Sequence, residues 1–137
     1  MLKSRNRCDI VVKMFRVDAD KSKNLLTIIY AGRLGADEMQ RCVDATKSSL
    51  TDMEPGFYVL TDLSDLEFMD IACAVYIEQI MDLCSAKGVS AVTRVVPDPH
   101  KDIGYHLMSL FHYARDVEMT EYDNLADAMR SLTDCLV

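Results

Sequence analysis

Apolar and polar residues alternate along the chain with a period that changes several times, and each change predicts an element. Phe15 to Asp18 reads as a short strand. Leu25 to Ala31, LLTIIYA, is a β-branched and aromatic run of strand length, with Asn24 before it suited to a turn. Gly32 and Gly35 then bracket Arg33-Leu34, and Asp37 and Glu38 suit the first turn of a helix. Met39, Val43, Thr46, Leu50 and Met53 follow at steps of three and four, a single helical stripe that Pro55-Gly56 stops.

The second half repeats the alternation. Phe57 to Thr61 is a strand pattern. Ile71 to Ala86 is helical, with Val75, Ile77, Ile80, Met81 and Cys84 assigned to a broad apolar face and Gly88 to the C′ position. Val89 to Val96 is a strand closed by Pro97-Asp98-Pro99, and a helix is expected from about Ile103 to Tyr113. Val117 to Thr120 gives a last strand. Asp123 or Asn124 can cap a final helix whose stripe is Leu125, Met129, Leu132 and Leu136.

Strands separated by helices need crossover connections, which build a largely parallel sheet. The first two strands can instead pair antiparallel across DADKSKN. The expected fold is α/β: a four- to five-stranded mixed, mostly parallel sheet with helices packed on it. Residues 1–14 are expected to form an N-terminal arm and residues 15–137 a single domain.

Composition narrows the function. The chain has 137 residues, half of them hydrophobic, so one substantial core is expected. Its formal net charge of −7 argues against a nucleic-acid surface, and the basic residues near the start are scattered. No apolar run reaches the roughly 18 residues of a membrane span, and the N-terminus lacks the apolar core of a signal peptide. A cytoplasmic protein without membrane insertion is expected. The odd count of five cysteines (Cys8, Cys42, Cys73, Cys84, Cys135), with no CxxC, reads as free thiols, mostly buried.

Candidate chemistry centres on VLTDLSDLEFMDIACAV. The acids Asp62, Asp65, Glu67 and Asp70 follow a strand directly and could face a cation at the sheet's carboxyl edge. The companions of a phosphoryl-transfer site, acids at a second strand end and a well-placed Lys, are mostly missing. The competing reading is structural: Ser64 and Asp65 in a turn, Asp70 capping the next helix, and Leu66, Phe68 and Met69 packed inward. His100, His106 and His112 are six apart, about 600° on a helix, so His106 and His112 face different ways. In IGYHLMSLFHY, Ile103, Leu107, Leu110 and Phe111 make a core face. Tyr105, Met108, His112 and Tyr113 are left for an interface or a ligand pocket.

The run from Leu60 to Val95 resembles the STAS domain family, the SpoIIAA-like anti-sigma-factor antagonists and sulfate-transporter C-terminal domains. Asp62-Leu63-Ser64, three spacers, Phe68-Met69-Asp70, then the helix exit Lys87-Gly88-Val89 match that family's pattern in identity and spacing. The resemblance implies a bacterial regulatory module that binds a protein partner, such as an anti-sigma-factor-like or signalling protein, through a surface around Asp62, Ser64, Asp70, Ile71 and Ala72. It implies no cofactor and no catalytic set. The family's phosphorylated hydroxyl follows the Asp, and here Ile71 and then Ala72 stand in those places, with Cys73 where the family has Gly. The expectation is therefore a non-catalytic interaction module without the usual phosphorylation switch, with homodimerisation left open. The alternatives are a small-molecule or lipid-binding domain on the same fold, and a cation-dependent enzyme using the acidic segment.

Overall fold

A computed structural model describes residues 15–96 and 117–136. β1 (Phe15–Asp20) and β2 (Leu25–Leu34) pair antiparallel, with Phe15 opposite Tyr30 and Asp20 opposite Leu25. The hairpin turn is held by Asp20, whose Oδ1 accepts from the Ser22 hydroxyl at 2.7 Å and the Lys23 N–H at 3.2 Å. The Ser22 hydrogen bond is the main reason the Asp20 carboxyl is held below its usual range. Asn24 closes the turn at φ 53°, a left-handed conformation that Asn tolerates. Its side-chain amide also brackets Glu54, donating to the carbonyl at 3.1 Å and accepting from the N–H at 2.9 Å.

α1 (Ala36–Leu50) begins where Glu38 Oε1 accepts from the Gly35 N–H at 3.0 Å. Its stripe is as the spacing predicts: Met39, Val43, Thr46 and Leu50 are buried, joined by Cys42, and Met53 is buried just beyond. The Thr46 hydroxyl, inside this apolar surface, donates to the Cys42 carbonyl at 2.8 Å, which removes the cost of burying it. β3 (Tyr58–Met69) follows. A 3₁₀ turn, Ile71–Cys73, leads into α2 (Ala74–Lys87), then come β4 (Ala91–Val95), β5 (Glu118–Tyr122) and α3 (Leu125–Leu136). Gly88 ends α2 at φ 98°, and its N–H and that of Val89 both donate to the Cys84 carbonyl.

The sheet runs β1-β2-β3-β4-β5 in space as in sequence, with every pair after the hairpin parallel. A sheet that grows in one direction by right-handed crossovers puts its successive helices on the same face. α1 and α2 accordingly pack on each other. They enclose the main core with Leu26, Ile28 and Tyr30 of β2, Val59 and Leu63 of β3 and Val92 of β4. Alternate residues point to the opposite face, where Leu25, Leu60 and Val95 meet Ala128 and Leu132 of α3.

Several boundaries differ from the sequence expectation. β3 does not stop at Thr61 but continues through the acids to Met69, because Ala31–Leu34 of β2 pair with it. Ser64 and Asp65 are therefore strand residues, not a turn. The helical segment starts as a 3₁₀ turn, and Val75 is 51% exposed instead of lining the core. It lies two positions from Ile77, and such neighbours do not share a helix face. On α3, Ala128 and Leu132 carry the burial while Leu125 and Met129 are exposed. Cys42, Cys73 and Cys84 are buried and are not joined in disulfides. The arm 1–14 and the expected helix 103–113 lie outside the described residues, as do the side chains of Cys135 and Leu136.

Candidate functional site

β4 accompanies β3 only as far as Asp62, which faces Val95. Beyond that point β2 and β3 continue paired, without another strand among the described residues, and form a two-stranded projection at the carboxyl edge of the sheet. The pairing slips twice on the way. Ile29 faces Asp62 and Leu34 faces Met69, so β2 advances five residues while β3 advances seven. The two extra residues are bulges, which reset the direction of the side chains after each one. The result is a strand that buries Leu63, Leu66 and Met69 while exposing Asp65 and Glu67.

The bulges also separate the acids. Asp62 is buried, and its Oδ1 accepts from the Ser64 N–H at 3.0 Å and from the Ser64 hydroxyl. Asp70 lies one residue beyond Met69, six strand steps further on as measured along β2, roughly 20 Å away. A single cation cannot bridge that gap. Among the described residues no group of three or more His, Cys, Asp or Glu side chains is placed to hold a metal ion.

Asp70 sits at the tip and organises it. Its N–H donates to the Leu34 carbonyl at 3.1 Å, continuing the strand pairing by one bond. Its carboxylate accepts from the Ala72 N–H at 2.9 Å, and its carbonyl accepts from the Cys73 N–H at 2.9 Å. It is thus the N-cap of the 3₁₀ turn, the role its position before an apolar run predicts. The Cys73 thiol is buried beneath the turn and reaches the Leu34 carbonyl at 3.7 Å. Burial first, and then the nearby Asp70 charge, push this thiol up to about 11. It stays protonated at neutral pH, which makes it a packing group and a poor nucleophile.

With Asp70 folded over the turn, the next two residues are turned outward. Ile71 is 63% exposed, and Ala72 is exposed beside it. Val75, four residues after Ile71, is exposed in turn. At the rim, the Arg33 guanidinium lies 4.5 Å over the ring of half-buried Phe68, its partner across the two strands. Of the residues singled out from sequence, Asp70, Ile71 and Ala72 come together on this tip. Asp62 and Ser64 are engaged with each other further down the strand. Tyr105, Met108, His112 and Tyr113 are outside the described residues. Val75, Arg33 and Phe68 were not anticipated as surface residues. The Ile71–Val75 spacing of four was the available signal for the first, whereas the Arg33–Phe68 pair depends on bulges that leave no sequence mark.

The chain matches no family model and no curated protein. Solved structures do match. The anti-sigma factor antagonist SpoIIAA in its unphosphorylated form aligns at a TM-score of 0.61 with 11% identity, over 88% of this chain and 97% of that one. An anti-sigma factor antagonist from Mycobacterium paratuberculosis aligns at 0.55 with 16% identity, over 88% and 93%. A protein of the DUF3478 family from Shewanella loihica, described as having a SpoIIAA-like fold, aligns at 0.55 with 15% identity, over 86% and 91%. At such identities the likeness speaks to architecture, and the chain has the SpoIIAA-like α/β fold of the STAS domains.

Proposed function

We propose that this chain is a non-catalytic regulatory module that binds a protein partner through the tip formed by Asp70, Ile71, Ala72 and Val75, with Arg33 and Phe68 at its rim. The fold supports the reading, since two of the similar structures are anti-sigma factor antagonists. The single observation that carries it is Ile71. A large aliphatic side chain stands 63% exposed on a turn that Asp70 holds in place, a position where desolvation by a partner is the gain to be had. Ile71 and Ala72 have no hydroxyl, so phosphorylation at the usual STAS position does not regulate this surface. Asp62 and Ser64 support the strand and make no direct contact with the partner.

A photo-cross-linking side chain at Ile71, introduced into the full chain in its native cells, tests the reading. The expected result is one discrete adduct with another protein. The same side chain at Asp18, exposed on β1, should give none. Equal or absent adducts at the two positions would reject the surface. Incubating the chain with lysate and ATP should leave the mass of the peptide spanning Ile71 unchanged.

A further inference from the structure

Resting on the surface proposed above, we infer that its partner presents a basic face around an apolar socket, and that charge sets the rate at which the two meet. The charge along the chain around the tip is one-sided. From residue 56 to residue 86 there is no Lys or Arg, while six acids occur: Asp62, Asp65, Glu67, Asp70, Glu78 and Asp82. All but Asp62 are exposed. The geometry of α2 aligns part of this set with the apolar pair. Val75, Glu78 and Asp82 follow one another at steps of three and four on α2, so an exposed stripe runs from aliphatic to acidic, with exposed Ile71 in the 3₁₀ turn just before it. Asp70 and Glu67 flank its other end.

Among the described residues, Arg33 and Arg41 each have a partner of their own. Arg33 lies over Phe68, and Arg41 on α1 is 3.8 Å from Glu38. A partner that is apolar alone would have to desolvate these carboxylates without compensation, and an acidic one would be repelled. A surface carrying Lys or Arg around an aliphatic or aromatic socket meets both halves of the stripe, and complementary fields raise association rates by ~10- to 1000-fold.

The probes are two helical peptides with the same Leu register, one carrying Lys at every polar position and the other Glu. They are titrated into the full chain with methyl-labelled Ile and Val. The Lys peptide should shift the Ile71 and Val75 methyl resonances and the Glu peptide should not. Affinity should fall roughly tenfold in high salt and by a similar factor in the Glu78→Lys, Asp82→Lys double variant, with Asp18→Lys as an unaffected control. Binding of neither peptide, equal binding of both, or shifts confined to other methyls would overturn the inference. The cross-linking experiment fails or succeeds separately. An adduct at Ile71 with a partner whose affinity is indifferent to salt would leave the surface standing and reject its charge logic.

Discussion

Replacing Ile71 by Ala separates folding from binding, and the structure fixes how far apart the two effects lie. Fully burying an Ile side chain is worth about 1.5–3 kcal/mol. Ile71 is 63% exposed in the free chain, so folding has collected only about a third of that amount. The substitution should therefore cost no more than ~1 kcal/mol of stability. The exposed remainder becomes available when a partner covers it, which is about 1–2 kcal/mol, or roughly 5- to 30-fold in dissociation constant. Urea unfolding gives the first number. Calorimetric titration of the cross-linked partner, once purified, gives the second. Adding Val75→Ala should deepen the binding loss while leaving stability nearly level, since Val75 is also more than half exposed. A loss of several kcal/mol in stability, or an unchanged affinity, would refute the reasoning: the first would mean that Ile71 is a core residue, the second that no partner covers it.

The remaining predictions concern the scaffold. Asp70→Ala removes the acceptor of the Ala72 N–H and should lower the urea midpoint by the equivalent of ~1 kcal/mol, whereas Asp70→Asn, which still caps, should cost less. Gly88→Ala places a Cβ on a residue at φ 98° and 3.3 Å from the Pro55 Cβ, so its melting temperature should fall by an amount corresponding to about 1–2 kcal/mol. Burial pushes the Cys42 thiol from about 9 up to about 12, against smaller opposing effects from Tyr30 and Thr46. A folded-state value raised in this way means that the neutral thiol's contribution is complete below pH 9 and is lost as pH rises from about 9 to about 12. Unfolding titrations across that window should show a steeper alkaline loss for the native chain than for Cys42→Ala, and parallel curves would contradict it.

The large-scale architecture was legible because period and punctuation agree there. The α1 stripe of Met39, Val43, Thr46 and Leu50, its stop at Pro55-Gly56, and Gly88 at the end of α2 are each local signals with a local cause. The five-stranded mixed sheet follows from their order, through the crossover rule. What misled was composition. Asp62, Ser64, Asp65 and Glu67 have low strand propensity, and a segment rich in them reads as a turn. In the fold, the pairing of Ala31 to Asp65 and of Leu34 to Met69 overrides that preference, and this pairing is a long-range property that no window of sequence contains. The assignment of Val75 to the buried face failed for a simpler reason, since its spacing from Ile77 already contradicted it.

The site depends on what was legible and what was not. Asp70 as a cap could be read directly, because the requirement is one side chain beside a few N–H groups. The exposure of Ile71 could not, because it depends on where the strand ends. Had β3 stopped at Thr61, Asp70 would have capped a helix starting from a free loop. Instead the projection carries Asp70 to the Leu34 carbonyl, and the turn that follows must leave the strand with Cys73 inward and Ile71 outward. The bulges, by adding two residues to β3 between Asp62 and Met69, set the phase in which the strand arrives there. Deleting one spacer, Glu67, should therefore do more than shorten the strand. It would remove the second bulge, because Glu67 is the residue between Leu66 and Phe68 with no partner on β2, and so change the twist with which the strand delivers Asp70 to the Leu34 carbonyl. The hydroxyl-free turn and the strand that presents it thus form a single structural unit, and a substitution in either is expected to register at Ile71.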